Sequence, residues 1–234
     1  MKLSPAFRRN SFVFVTAAAL LFIILIGIAI AVFPGGTYLD HGMKGYSWLN
    51  NFFSDLGRTK LYSGEPNTAC MLLFSISLAV LGAALVPFFL SWQSLFFGHT
   101  IARILARIGC AAGILAGLAY IEIAFTPWDL FFMPHISGVY TAFSAMVLTA
   151  VCYSVAMILT PQYSRTASTV MVFYTVSAVL YLMLLLFGPS FKTTIGLVIQ
   201  VVGQKIIVGV QACTLTIEAG YALKQVKMLS QKQA

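Results

Sequence analysis

The chain has 234 residues, of which 60% are hydrophobic and 9% are charged, and its mean hydropathy is +0.93. Soluble domains carry about 25% charged residues, so this composition excludes a water-soluble globular protein and predicts an integral membrane protein. The formal net charge of +8 comes from basic residues scattered at the predicted helix ends. It therefore gives no basic stripe of the kind that binds nucleic acid.

Six apolar segments are each long enough to cross a bilayer, because a spanning helix needs roughly 20 residues. In chain order they cover residues 12–34, 67–92, 102–126, 134–160, 168–188 and 193–221. They leave no room for a separate soluble domain. The prediction is a single all-α, polytopic membrane domain over residues 1–234 with six transmembrane helices.

Basic residues predict the orientation, because they concentrate on the cytoplasmic side of membrane proteins. Six crossings place nine of them on the side of both termini: Lys2, Arg8, Arg9, Arg103, Arg107, Arg165, Lys224, Lys227 and Lys232. The opposite side receives four: Lys44, Arg58, Lys60 and Lys192. We therefore expect both termini to be cytoplasmic.

The segment 35–66 between the first two spans is predicted to be an ordered extracytoplasmic loop, because long structureless loops are uncommon in compact folds. An apolar pattern within it predicts a short amphipathic outer helix near residues 47–56. The pattern consists of Leu49, Phe52, Phe53 and Leu56, with Ser47 as the starting cap and Gly57 as the end. The opposite, polar face of this helix carries Asn51, Ser54 and Asp55.

Three motifs in this region follow one another along the chain: FPGG at 33–36, YSWLNNFFSDLGRT at 46–59 and GEPN at 64–67. Their order resembles a prokaryotic six-span membrane protein family of unknown function, number nine-nine-eight of its series, with Ser-Asp-Leu-Gly in its first outer loop. It is more distantly similar to the eukaryotic Frag/DRAM/Sfk family, which carries Ser-Asp-x-Gly followed by Pro-Glu. The matching residues are Ser54, Asp55, Gly57, Pro66 and Asn67, with Asn67 in place of the eukaryotic acidic residue.

The resemblance carries expectations about location and role. The prokaryotic family implies a prokaryotic inner or plasma membrane, and the eukaryotic relatives imply lipid remodelling, lipid organisation or membrane trafficking. His135, which opens the fourth span, is similar to a histidine in both groups.

Acidic residues and a histidine are predicted on the outer side. Aspartate, glutamate and histidine can together bind a metal ion that activates water. The catalytic candidates are Asp55, Glu122, Asp129 and His135, and the metal candidates are Asp55, Glu122 and His135. No metal-type spacing such as HExxH occurs, so no cofactor is predicted. The alternative is a hydrogen-bonded lid in which Asp55 caps a turn and Glu122 pairs with Arg58 or Lys60.

The sixth span carries a polar stripe. Gln200, Gln204, Gln211 and Glu218 fall within about 40° of one another on a helix, so they should face protein rather than lipid. Lys205 lies beside them, about 12 residues into the span, where a lysine costs roughly 2.5–3.5 kcal/mol. The ligand-binding prediction is an anionic lipid headgroup or fatty acid held by Lys205, Gln200, Gln204 and Gln211. The alternative is that the glutamines pack helices together and water solvates the lysine.

Small residues recur in the third span at Gly109, Gly113 and Gly117. This four-residue spacing lets helices approach closely. It predicts packing within the chain or a contact surface for a homo-oligomer or a membrane-complex partner.

Three functions remain open on the sequence alone. The absence of a catalytic motif and the resemblance favour a non-enzymatic lipid-binding or lipid-organising protein, or a subunit of a membrane complex, with membrane lipids as partners. The first alternative is an outer-face lipid hydrolase or transferase that uses the Asp/Glu/His candidates. The second is a small transporter that uses the intramembrane Lys205.

Overall fold

The structure is a computed structural model that describes residues 3–161 and 163–231. Its helices are α1 (Pro5–Val32), α2 (Phe53–Leu56), α3 (Thr68–Gln93), α4 (Thr100–Phe125), α5 (Phe132–Ile158), α6 (Arg165–Phe187) and α7 (Thr194–Gln231). All except α2 are long and apolar enough to cross a membrane. The prediction of an all-α, six-span membrane protein is confirmed. Lys2 and Lys232, which entered the orientation prediction, lie outside the described residues, and that orientation stays a prediction.

The helices α1 and α7 extend furthest beyond their predicted spans. α1 begins at Pro5 because the Ser4 hydroxyl accepts a hydrogen bond from the Phe7 backbone N–H at 3.2 Å. Proline suits the first helical position, where its missing N–H costs nothing. α7 continues to Gln231 because no glycine or proline follows Tyr221 to end it.

The six long helices form a closed ring. Each packs against its neighbour in the chain, and α7 returns to pack against α1. Short connections make the successive helices from α3 to α7 antiparallel, so the ring has two ends. We call the end with segments 35–66, 126–131 and 188–193 the long-loop end, and the other the terminal end, because α1 begins and α7 ends there.

The segment 46–67, which we call the cap, closes the long-loop end. Its helix is α2 alone, four residues long, rather than the predicted helix over 47–56. The predicted polar face is also reversed, because Asn51 and Asp55 are fully buried while Leu49 is 54% exposed. The side chains of Asn51 and Asp55 accept hydrogen bonds from the backbone N–H groups of Ser47 and Phe52 here, in place of a continued helix.

Close packing of α4 explains its glycines. A Cβ atom on Gly113 would lie 2.4 Å from the Phe89 ring of α3, and one on Gly117 would lie 2.7 Å from the Gly82 carbonyl oxygen. Gly109 is likewise buried. The three glycines therefore serve packing inside this chain, and a homo-oligomer or other partner through them stays a prediction.

We expect Gly113→Ala to destabilise the bundle by about 1–3 kcal/mol, the usual cost of overpacking a filled core. Phe89 cannot move away easily, because it is buried against Phe88, Trp92 and Tyr153. The measurement is the apparent thermal midpoint in detergent, followed by intrinsic fluorescence.

Gly209→Ala is the matched control, because a Cβ atom there meets nothing within 4 Å. Removing a helical glycine should stabilise α7 by roughly 0.5–1 kcal/mol. Equal midpoints for the two variants would contradict the close approach of α3 and α4.

Candidate functional site

The buried carboxylate of Asp55 organises the cap. It accepts hydrogen bonds from the Phe52 backbone N–H at 2.9 Å, the Asn51 amide at 3.1 Å and the Tyr62 hydroxyl at 3.0 Å. Burial raises the pKa of Asp55, and the three hydrogen bonds with nearby Arg58 offset only part of that rise. Its lone pairs are directed at protein donors, so its role is structural. We call the hydrogen bonds of Asp55 with Asn51, Phe52 and Tyr62 the Asp55 network.

Asn51 extends the Asp55 network to the start of the long loop. Its side-chain oxygen accepts from the Ser47 backbone N–H at 2.9 Å, and its amide nitrogen also donates to the Gly36 carbonyl at 2.8 Å. Each of these groups is thereby satisfied although Asn51 is fully buried. One side chain thus joins the FPGG turn to the cap.

Gly57 and Asn67 complete the fold of the cap. A Cβ atom on Gly57 would lie 2.5 Å from the Phe74 ring, so only glycine lets the cap rest on α3. The Asn67 amide donates to the carbonyls of Leu56 and Arg58, both at 3.0 Å. These two motif residues therefore serve structure.

Pro66 pairs with Lys60 in a single antiparallel bridge. The bridge closes the turn between them and brings the chain back to the start of α3. Among the residues that carry the resemblance, Ser54 contributes to the cap through its carbonyl, which accepts from the Gly57 backbone N–H at 3.0 Å.

Asp129 fastens the cap to the 126–131 connection. Its carboxylate accepts from the Thr59 backbone N–H at 3.0 Å, the Thr59 hydroxyl at 2.7 Å and the Lys60 backbone N–H at 3.1 Å. Partial burial alone would raise the pKa of Asp129, but these hydrogen bonds outweigh it and hold that pKa below its ordinary value. Asp129 therefore joins the cap to the 126–131 connection through hydrogen bonds.

Arg58 strengthens the same junction through aromatic contacts. Its guanidinium lies 4.0 Å from the Tyr62 ring centre and 4.6 Å from the Trp128 ring centre. Its Nε atom donates to the Lys60 carbonyl at 2.9 Å. Arg58 therefore uses cation–π contacts. Glu122, for which Arg58 or Lys60 is the predicted partner, lies on α4.

Two α7 side chains hold the other edge of the cap. The Gln204 side-chain oxygen accepts from the Phe53 backbone N–H at 2.9 Å. The Lys205 ammonium donates to the Asn51 carbonyl and lies 5.2 Å from the Tyr46 ring centre. The positive charge of Lys205 is thus stabilised by a carbonyl and an aromatic face. Asn51 links this lysine to the Asp55 network.

The other two glutamines of the stripe also bind protein groups. Gln200 donates to the carbonyls of Leu184 at 3.1 Å and Pro189 at 3.2 Å. Gln211 exchanges hydrogen bonds with the Tyr120 hydroxyl at 2.8–2.9 Å. These contacts turn the stripe toward the interior of the ring.

Two adjoining cavities lie beneath the cap, with volumes of about 70 Å³ and about 160 Å³. Ser54, His135, Val139 and Gln204 line both cavities. No Asp, Glu, Lys or Arg lines either of them within the described part of the chain. The smaller cavity continues between apolar side chains: Phe22, Phe74, Leu78, Leu81, Val208 and Leu215.

His135 presents a defined nitrogen to this space. Its Nδ1 atom lies 2.7 Å from the Thr126 carbonyl oxygen. A carbonyl only accepts hydrogen bonds, so Nδ1 carries the hydrogen and Nε2 of the neutral ring is an acceptor. The site therefore combines an imidazole acceptor with the hydroxyl of Ser54.

The predicted acidic cluster is not assembled. Glu122 is exposed and lies against Gly138, whereas Asp55 and Asp129 are bound within and beside the cap. His135 alone of the four catalytic candidates lines the cavities. Over residues 3–161 and 163–231, no three His, Cys, Asp or Glu side chains come together in a way that could hold a metal ion.

Some residues of the site gave no signal in the sequence. Tyr62 and Val139 belong to no motif or periodic pattern, and Asn51 is predicted only on the polar face of a helix that does not form. Their roles depend on contacts between segments far apart in the chain.

Comparison with protein-family models, curated proteins and solved structures finds no match for this chain. The resemblance based on Ser54, Asp55, Gly57, Pro66 and Asn67 stays a prediction. The site is therefore interpreted from its own chemistry.

We expect Asp129→Asn to lower the apparent thermal midpoint at neutral pH by about 2–4 °C, equivalent to roughly 1 kcal/mol for this chain length. Because the folded-state pKa of Asp129 is depressed, its contribution is complete above the unfolded value near 3.9. It disappears as the pH falls through the lower folded value. The difference between wild type and variant should therefore shrink on acidification.

Asp40→Asn removes the same charge from an exposed aspartate and is the control. If the thermal midpoint of the wild type exceeds that of Asp129→Asn by the same amount at strongly acid pH, this role of the Asp129 carboxylate would be contradicted.

Proposed function

We propose that this integral membrane protein binds one membrane amphiphile in the capped cavities and acts by holding or organising that lipid. The observation that carries the proposal is the pair of adjoining cavities, apolar in lining, with uncharged polar side chains where they meet. Ligand sites in proteins combine apolar walls with a few placed polar groups in this way.

The polar groups favour an uncharged partner, such as a hydroxyl or the ester region of a lipid. Ser54 can donate or accept, and His135 Nε2 accepts. Gln204 keeps its amide N–H groups available, because its oxygen accepts from Phe53. Lys205 lines neither cavity, which argues against the anionic ligand expected at that residue.

The cavity dimensions favour part of a lipid rather than a whole one, because pockets for drug-sized ligands measure about 300–1,000 Å³. The apolar 70 Å³ cavity suits a segment of acyl chain. The 160 Å³ cavity includes Phe132, 45% exposed, and Tyr140, 37% exposed, in its lining. It therefore adjoins the lipid-facing surface, from which an amphiphile would enter.

Val139→Phe tests the proposal, because Val139 borders both cavities and a larger side chain would fill them. We expect native mass spectra of detergent-purified wild type to show one selected lipid bound. Its occupancy should fall about tenfold in Val139→Phe, equivalent to roughly 1.4 kcal/mol of binding free energy.

Val176→Phe adds the same volume at a side chain that is 54% exposed on α6, so it should keep the lipid. Thermal midpoints of both variants check that they fold. Bare wild-type protein, or equal lipid occupancy in all three proteins, would contradict the proposal.

A second candidate, acyl transfer from a lipid ester, is favoured by Ser54 and His135 lining the same two cavities. Ser54 Oγ would attack the ester carbonyl while its proton moves to His135 Nε2, and the leaving alcohol would take that proton. Water would then release the acid from the acyl-serine. This pair replaces the Asp/Glu/His set expected from the sequence.

A lipophilic fluorophosphonate distinguishes the two candidates, because an activated serine displaces its fluoride. Peptide mapping should find phosphonylated Ser54 in the wild type and none in His135→Gln if acyl transfer occurs. An unlabelled Ser54 in protein that still binds lipid would leave lipid holding as the function.

A further inference from the structure

The larger of the two capped cavities, of about 160 Å³, has a mostly aromatic wall, because eight of its fifteen lining residues are Phe, Tyr or Trp. Six of the eight form a continuous chain of ring contacts, with 5.3–6.4 Å between the centres of neighbouring rings. Aromatic rings gain from stacked or edge-to-face contact beyond the burial of apolar area. The wall therefore favours a ligand with a flat ring. In order, the six residues are Phe52, Phe191, Tyr38, Tyr62, Trp128 and Phe132.

Polar atoms are available where the larger cavity meets the smaller one. Ser54, His135 and Gln204 line both cavities. Their Oγ, Nε2 and Nε2 atoms, respectively, have no hydrogen-bond partner among the described residues, and all three atoms remain accessible to contact. The Gln204 amide donates, the neutral His135 Nε2 accepts, and the Ser54 hydroxyl can do either. This set can bind a carbonyl oxygen or a hydroxyl group on a ring.

The charge pattern disfavours ionic headgroups. Within the described chain no Lys or Arg lines the larger cavity, so a phosphate would have no counter-charge there. A quaternary ammonium can bind to aromatic faces alone. The Arg58 guanidinium, however, already lies 4.0 Å from the Tyr62 ring centre and 4.6 Å from the Trp128 ring centre. Its charge disfavours a second cation at these rings, so an uncharged ring fits best.

We propose that the bound amphiphile is a lipid-soluble quinone whose ring occupies the larger cavity. This inference rests on the lipid-binding proposal and names the class of its ligand. A quinone has an uncharged flat ring with two oxygens on opposite sides and an apolar tail beside one of them. Its tail leaves past the partly exposed Phe132 and Tyr140 to the lipid. The opposite oxygen then meets the polar groups at the junction of the cavities.

Those polar groups suit both forms of the ring. Gln204 and Ser54 donate to the carbonyl oxygen of the oxidised form. His135 Nε2 accepts from the hydroxyl of the reduced form. The site therefore holds a quinone or a quinol without a change in its own charge.

The lipid that copurifies with the protein tests the class of ligand. A solvent extract of the wild type should contain an isoprenoid quinone, identified by its mass and by an ultraviolet absorbance that changes on borohydride reduction. The Val139→Phe extract should contain about tenfold less. A selected lipid of another class overturns the quinone assignment and leaves the lipid-binding proposal standing. Bare wild-type protein overturns both.

Decylubiquinone titration tests binding directly, with Trp128 as the reporter, because a quinone quenches the fluorescence of a tryptophan that it contacts. Trp48 and Trp92 line neither cavity. Quenching of the wild type in detergent should therefore include a saturable part, which both Trp128→Phe and Val139→Phe should lose. Decanol has an alkyl chain but no ring and should not quench. Equal saturable quenching in wild type and Val139→Phe would overturn the quinone site.

Phe191→Leu tests recognition by the aromatic wall. It keeps an apolar side chain but removes a ring, so the midpoint of the decylubiquinone titration should rise about fivefold. Phe187→Leu removes a ring that is 79% exposed on α6 and lines neither cavity, and it should leave the midpoint unchanged. Thermal midpoints check that both variants fold. Equal titration midpoints in the two variants would contradict ring recognition and overturn the proposal.

Discussion

Burial of the Asp55 carboxylate is the constraint on which the rest of the long-loop end depends. A buried carboxylate must be met by hydrogen-bond donors, and Asn51, Phe52 and Tyr62 supply them only when the chain wraps around it. That wrapping sets the path of the cap. It places Ser54 over the cavities and the Asn51 carbonyl over Lys205.

The polar residues of α7 make contacts at three successive depths in the ring. Gln204 and Lys205 hold the cap, Gln211 joins α7 to Tyr120 of α4, and Glu218 borders a small cavity nearer the terminal end. Gln211 also lines both the 70 Å³ cavity and the cavity at Glu218. One helix therefore carries residues that hold the cap over its two cavities and residues that border the small cavity at Glu218.

Sequence reasoning succeeded where the signal lies along one helix. Long apolar runs fix the six spans, and the period of 3.6 residues places the glutamines on one inward face. It failed at the cap, where the apolar spacing of Leu49 with Phe52 and Phe53 imitates a helix although Leu49 is exposed. The prediction of an Asp/Glu/His cluster failed for a related reason. The sequence indicates at which end of the ring those residues lie, but it does not indicate the directions of their side chains.

Hydrogen–deuterium exchange over residues 50–67 tests the central claim, that the Asp55 network keeps the cap folded over the cavities. Asp55→Asn replaces an acceptor oxygen with a donor, and an unsatisfied buried group costs about 1–3 kcal/mol. We predict that amides of the cap exchange about tenfold faster or more in this variant. Asp40→Asn, an exposed aspartate, should leave them unchanged. Wild-type protection of the cap in Asp55→Asn would contradict the account.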